Sequence, residues 1–152
     1  MTSEVQAIFS RFYLRVTDYH LTGLDESLVN DMLSGYMKAV ISKPYIRKLF
    51  TSIKIDDDVE EVEYFMRKPQ DDDSDRDFVE EVLCLGMIIE WVGPKYHSTL
   101  NTAQFFSNKE QSFFSQANHM QQLKEMYEKS QTDLRKLIRD RGYILSVING
   151  VE

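Results

Sequence analysis

An acidic stretch in the middle of the chain has the residue types and part of the spacing of a calcium-binding loop. Its carboxylates fall where the first, third, fifth and seventh ligands of an EF-hand loop would stand: Asp71, Asp73, Asp75 and Asp77. The sixth position needs a glycine for its turn but holds Arg76, and the twelfth needs a bidentate glutamate but holds Val82. Because the pattern fails at both required positions, we expect a solvated acidic loop and no metal site.

The histidines and the short catalytic motifs indicate no other site. His20, His97 and His119 lie far apart in the sequence, and none has Cys, Asp or Glu at metal-ligand spacing. The sequence contains no His-Glu-x-x-His, Cys-x-x-Cys, phosphate-loop or Gly-x-Ser-x-Gly motif. Glu80 and Glu81 are explained as favourable charges near the start of a helix. We therefore expect no catalytic residues, no metal and no cofactor, and hence a protein that is not an enzyme.

Composition indicates one domain spanning residues 1–152. Of its 152 residues 42% are hydrophobic and 12% aromatic, so it can bury a core without disulfides or metals. The single cysteine, Cys84, lies between Leu83 and Leu85, which predicts a buried thiol. The net charge of −7 argues against general nucleic-acid binding, because phosphate contacts need Lys and Arg. With no visible signal peptide or membrane span, we expect a soluble protein.

Hydrophobic periodicity predicts two helices and a hairpin in the first half of the chain. A capping box at Ser3 begins a helix that runs to about Tyr19. Asp25 caps a second helix, which Pro44 ends or kinks. Two runs of alternating apolar and polar residues around an acidic turn then predict a β-hairpin over 51–67, whose exposed edge is a surface for pairing with another subunit.

The second half predicts two further helices and a tail. After a polar loop over 69–77, a third helix with apolar residues almost all round runs to the Gly93-Pro94 pair that ends it. Such a helix is central, or is buried on one side by a partner. A fourth, long helix follows over about 109–139, and the tail 143–152 docks or extends as an arm.

The predicted fold is therefore mainly α, with four helices, one small β-hairpin and a long C-terminal helix. The helical core covers about 3–142, and the tail 143–152 follows it. No internal repeat divides the chain, so all of these elements belong to one domain.

Phenylalanines near the start of the fourth helix stand in adjacent pairs, Phe105-Phe106 and Phe113-Phe114. Neighbouring residues on a helix point about 100° apart, so a pair cannot bury both rings against one neighbour. Either core wraps the helix on two sides, or one ring of each pair fills a pocket of a partner, and both interpretations stay open. Trp91 and Tyr96 precede the pairs and make an aromatic-rich corner, as interface hot spots often do.

Three segments are thus candidate protein interfaces. Their residues are Trp91, Tyr96, Phe105, Phe106, Phe113 and Phe114 in the aromatic corner, Ile53, Ile55, Tyr64 and Met66 in the hairpin, and Tyr143, Ile144 and Ile148 in the tail. If these residues form interfaces, charge substitutions there block assembly while the monomer stays folded. If they are core residues, the same substitutions unfold the helices.

The chain from the third helix onward resembles a known family. The resemblance is carried by Met87–Lys95, Ser98, Asn101, Phe105-Phe106, Lys109-Glu110, Phe114–His119 and the long charged helix that follows. Over roughly residues 78 to 145 this series resembles the head–tail connector proteins, also called adaptor or neck proteins, of tailed bacteriophages of Gram-positive hosts. The first half agrees with that family only in its helix pattern. The resemblance implies a mainly helical, connector-like fold with a small hairpin.

The function that the resemblance implies is that of a structural virion protein of the neck, made in the host cytoplasm. About a dozen copies would form a closed ring below the portal of the DNA-filled head. The ring would contact the portal protein and a stopper or tail-completion protein, and DNA would pass through its lumen without sequence-specific binding. An acidic protein suits such a channel, because it lets DNA pass without sticking. No membrane contact is implied.

Two other functions are kept beside this one. A small helical regulatory module would bind one partner protein through the fourth helix, in a one-to-one complex without a ring. An unrecognised hydrolase would need a pocket in which an Asp or Glu meets one of the three histidines. Binding stoichiometry and co-assembly with a portal protein separate these hypotheses.

Overall fold

The structure, a computed structural model, describes the backbone of residues 1–16, 25–103 and 110–148, and the side chains of 1–16, 25–98 and 118–144. The elements in chain order are β1 (Thr2–Glu4), α1 (Val5–Arg15), α2 (Glu26–Ser42), α3 (Pro44–Arg47), β2 (Phe50–Asp56), β3 (Glu61–Met66), α4 (Asp72–Ala103) and α5 (Glu110–Ile148). The predicted mainly α fold, with a small hairpin and a long C-terminal helix, is confirmed. Within the described ranges, no helix combines the length and the apolar character needed to span a bilayer.

The central element is α4, which contacts α1, α2, α5 and β1. Its apolar side chains are buried almost all round, from Phe78 through Leu83 to Val92. The helices around it each turn one apolar stripe inward, such as Ile8 and Phe12 of α1. The sequence-based expectation that a helix without a polar face is central is thus met inside the subunit.

Two predicted helix ends prove wrong because packing outweighs the local signals. Gly93 and Pro94 lie inside α4, and a β-carbon on Gly93 would stand 3.3 Å from Cε2 of Tyr127 on α5. The missing side chain therefore lets α5 approach α4, although Pro94 removes one helical hydrogen bond. Gly142 likewise lies inside α5, which continues to Ile148, so most of the predicted tail is helical.

The prediction for the N-terminus is wrong about the cap of the first helix, and it misses the first strand of the sheet. Ser3 belongs to β1, and its hydroxyl donates a hydrogen bond to Oε1 of Glu80 at 2.5 Å instead of capping α1. Strand β1 pairs antiparallel with β3, which gives a three-stranded sheet of order β1-β3-β2. Helix α1 ends at Arg15, before the expected end near Tyr19.

The acidic loop predicted over 69–77 is shorter than expected, because α4 already begins at Asp72. The carboxylate of Asp71 accepts a hydrogen bond from the backbone N–H of Ser74 at 2.8 Å, as an N-cap residue does. That hydrogen bond lowers the pKa of Asp71. Asp75 lies buried inside the first turn of α4.

The crossing of α2 and α4 depends on Gly86, where a β-carbon would stand 2.5 Å and 2.8 Å from the two methyl carbons of Val40. We predict that Gly86→Ala lowers the free energy of unfolding by about 1–3 kcal/mol, because the buried helices must separate. Urea denaturation followed by circular dichroism measures this change.

Gly142→Ala is the matched control, since nothing lies within 4 Å of a β-carbon added at Gly142, which is also inside a helix. It should raise stability by about 0.5–1 kcal/mol through helix propensity. Equal effects of the two substitutions would contradict the close crossing at Gly86.

Candidate protein-binding site

The two residues of the predicted aromatic corner whose side chains the structure describes, Trp91 and Tyr96, pack within the subunit. Trp91 is only 7% exposed, and its ring meets that of Phe12 edge to face at 6.2 Å between centroids. Tyr96 is half-buried and stacks on Tyr127 of α5 at 5.9 Å. The sequence predicts Trp91 at an interface, but in the subunit its ring is already buried against Phe12 of α1.

The hairpin forms as predicted, but part of the interface predicted on it is buried inside the subunit. Tyr64 and Met66 are buried, at 0% and 7% exposure, because β3 is the middle strand and turns these residues toward the helices. Ile53 and Ile55 on β2 are half-buried. The exposed apolar residue of β3 is Phe65 on the opposite face, at 51%. Alternation predicted the two strands but not which of their faces packs inward.

The remaining predicted interface residues divide into two groups. On α5, Tyr143 and Ile144 are exposed, at 71% and 48%. Phe105 and Phe106 lie outside the described residues, as do the side chains of Phe113, Phe114 and Ile148. Of the predicted set, Tyr143 and Ile144 are therefore the side chains seen at the surface.

A groove runs beside these exposed residues, where α3, α4, α5 and the base of the hairpin meet. It consists of two adjoining hollows of about 460 Å³ and 410 Å³ that share Lys48. Apolar side chains form the wall of the larger hollow, namely Ile89, Leu134 and Ile138. The wall of the smaller one includes Leu49 and Met66.

The charged side chains that line this groove are all basic, although the chain carries a net charge of −7. They are Lys48, Arg67, Lys68, Arg135, Arg139 and Arg141, and no Asp or Glu is among the described residues of the lining. We call this surface the basic groove. Arg139 has Asp140 at 3.7 Å, and Arg67 donates to the backbone carbonyl of Phe50 at 3.4 Å.

Three of the bases that line the basic groove have no acidic partner among the described residues. In the described part of the chain, no carboxylate lies within 4.0 Å of the ammonium of Lys48 or Lys68, or of the guanidinium of Arg135. All three residues are exposed. A concave, partly apolar surface lined by one sign of charge concentrates the electrostatic field and attracts groups of opposite charge.

A buried ion pair holds one end of the basic groove in place. Arg141 of α5 and Asp75 of α4 pair at 2.5 Å, with side chains 8% and 1% exposed. The same guanidinium donates to the backbone carbonyl of Lys68 at 3.0 Å and lies 4.5 Å from the ring centre of Phe78. Asp75 also accepts hydrogen bonds from the backbone N–H of Gln70 at 3.2 Å. These contacts fix the segment after β3 against α5.

A second ion-pair cluster joins α1 to α4 and accounts for the two glutamates near the start of the predicted third helix. The guanidinium of Arg11 lies 3.1 Å from Glu80 and 3.0 Å from Glu81, and Arg15 lies 2.6 Å from Glu81. Arg11 also pairs with Asp77 at 2.5 Å. The glutamates therefore bind α1, a role that the helix-dipole interpretation missed.

The aspartates of the predicted calcium-like pattern have separate partners in the described chain. Asp71 caps α4, Asp75 faces inward and Asp77 pairs with α1. Within the described ranges, no three side chains among His, Cys, Asp and Glu are arranged to hold a metal ion. Burial raises the pKa of the Cys84 thiol to about 11, which keeps it protonated at neutral pH.

Comparison of the chain with protein-family models, with curated proteins and with solved structures finds no match.

We predict that Arg141→Met lowers the free energy of unfolding by about 3–5 kcal/mol, because it leaves the Asp75 carboxylate buried without its partner. Adding Asp75→Asn to that variant should restore part of the loss, since no buried charge then remains. Chemical denaturation of the single and double variants measures both changes.

Arg139→Met is the control, because the side chain of Arg139 is 74% exposed and its pair with Asp140 is long. It should cost less than about 1 kcal/mol. Equal losses for the Arg139 and Arg141 variants would show that the pair with Asp75 is not buried in solution.

We further predict that Cys84 reacts slowly with a thiol-specific disulfide reagent at pH 8 in the folded protein. Little thiolate is present three pH units below a pKa of about 11, and burial blocks access. In 6 M guanidinium chloride the reaction should be complete within minutes, as for an exposed cysteine. Fast reaction of the folded chain would contradict the buried position of Cys84.

Proposed function

We propose that the chain is a structural virion protein whose copies join head to tail into a ring between the portal and the tail of a tailed bacteriophage. The ring continues the DNA channel from the filled head. The observation that carries the assembly part of this proposal is the basic groove. The virion part rests on the resemblance of residues 78 to 145 to head–tail connector proteins.

The basic groove supports assembly because it combines the two properties of a specific protein interface. Its wall offers apolar area from Ile89, Leu134 and Ile138, and its rim offers bases without partners in the described chain. Burial of apolar area supplies affinity, and charges around it select the partner and its orientation. Tyr143 and Ile144 extend the surface along α5.

A ring needs two different complementary patches on every copy, since head-to-tail contacts are heterologous. The basic groove supplies one patch on a chain that is otherwise acidic, so much of the remaining surface is of the opposite charge. This asymmetry favours contacts between unlike patches over contacts between like patches, because two basic grooves repel each other. The same acidic surplus suits a lumen through which DNA passes.

The regulatory alternative uses the same groove for an acidic segment of one partner protein. It predicts a one-to-one complex at every concentration, whereas the ring predicts many copies on one platform. Light scattering of the complex gives the copy number and separates the two functions.

The experiment for the proposed function is co-assembly with the portal protein of the same phage. Purified portal rings mixed with the chain should co-sediment with about a dozen copies per portal, and electron microscopy should show an added ring. Lys48→Glu/Arg135→Glu should lose this ring, because both bases line the basic groove.

Lys124→Glu/Lys129→Glu is the control with the same change in net charge, placed on exposed residues of α5 outside the groove. It should assemble like the natural chain. Absence of binding between the natural chain and the portal at every salt concentration would overturn the proposed function.

A further inference from the structure

The turn between β2 and β3 carries an exposed apolar side chain between unpaired acids. Val59 is 62% exposed, and Asp58 and Glu60 on either side of it are also exposed. In the described part of the chain, no base lies within 4.0 Å of the carboxylates of Asp58 or Glu60. We call the four residues 57–60 the acidic turn.

The acidic turn is held in one shape by its own hydrogen bonds. Oδ1 of Asp56 accepts from the backbone N–H of Asp58 at 3.0 Å and of Val59 at 3.4 Å. The ammonium of Lys38 on α2 pairs with Asp57 at 3.1 Å, and the carbonyl of Glu60 accepts from the N–H of Val5 at 3.0 Å. A segment that is already ordered loses little conformational entropy when it binds.

We propose that the acidic turn of one copy of this chain binds in the basic groove of the next copy. Val59 then covers the apolar wall formed by Ile89, Leu134 and Ile138. The carboxylates of Asp58 and Glu60 meet bases such as Lys48 and Arg135, which have no partner in the described subunit. The two surfaces thus match in both charge and apolar character, which is the usual basis of a selective contact.

The position of the two surfaces makes the contact intermolecular. The basic groove includes Leu49, Met66 and Arg67, which flank the base of the hairpin, whereas the acidic turn is at its other end. The seven residues of β2 separate the two by about 20 Å, at roughly 3.3 Å per residue. The turn of a chain therefore cannot fill the groove of the same chain.

A contact between unlike patches leaves a free turn on one copy and a free groove on the other, so copies can be added until a ring closes. This inference rests on the self-assembly in the proposed function and names the residues that carry it. Nucleic acid is a weaker candidate for the groove, because an apolar wall offers nothing to a phosphate backbone and the chain as a whole repels it.

The test uses two full-length variants with complementary defects. The turn variant is Asp58→Lys/Glu60→Lys, and the groove variant is Lys48→Glu/Arg135→Glu. All four residues are exposed, so both variants should keep the circular dichroism spectrum and melting temperature of the natural chain. Sedimentation velocity at increasing concentration in low-salt buffer measures association.

The natural chain should associate with increasing concentration, and each variant alone should bind itself at least about 100-fold more weakly. An equimolar mixture should associate again, because the intact groove of the turn variant meets the intact turn of the groove variant, and the two charge-reversed surfaces also match each other. The variant with all four substitutions should associate again, since its charges are reversed on both surfaces. Salt should weaken each of these contacts.

Several results would overturn the inference. These are a natural chain that stays monomeric at about 1 mM, variants that each associate like the natural chain, or a mixture that does not associate. Binding of a labelled DNA duplex that only the groove substitutions abolish, with no association in the mixture, would assign the groove to nucleic acid instead. If these tests contradict the contact but the chain still adds a ring to the portal, the proposed function stands and only the inferred contact is wrong.

Discussion

The apolar surface of α4 is the constraint on which the rest of the fold depends. Side chains such as Leu83, Met87 and Val92 point in different directions around one helix, so water must be excluded on every side. The packing of α1, α2 and α5 around this helix meets that requirement. The approach of α2 is close enough that Gly86 has no room for a side chain beside Val40. The apolar surface of α4 is thus covered by helices of the same chain.

Polar contacts then fix the positions of elements relative to one another, which apolar packing does not fix by itself. The pair between Arg141 and Asp75 joins the late part of α5 to the first turn of α4. The guanidinium of Arg141 also donates to the carbonyl of Lys68, which joins the segment after β3 to the same two helices. Buried ion pairs contribute little net stability, because desolvation offsets their attraction. Their value here is positional, since the residues tied together form one wall of the basic groove. Losing the pair would disturb the site as well as the fold.

Features set by local sequence could be predicted, and features set by distant residues could not. The periodicity of α2 and the alternation in the hairpin are local, and both elements form as expected. The capping box at Ser3 fails because its hydroxyl bonds to Glu80, and the stop at Gly93 fails because Tyr127 packs there. The basic groove could not be predicted from any single stretch of the sequence, because its bases come from three separate segments near Lys48, Lys68 and Arg135.

Charge pairing within the subunit decides which acids are available to a partner. Asp75 pairs with Arg141, Glu81 pairs with Arg11 and Arg15, and Glu90 pairs with Lys43 at 3.2 Å. These acids stabilise the packing of helices and are half-buried or buried. In the acidic turn, by contrast, Asp58 and Glu60 have no basic partner among the described residues and stand on both sides of the exposed Val59. Charges that are already paired inside a subunit add little to a contact with another molecule, whereas exposed charges of one sign favour partners of the opposite charge and repel those of like charge.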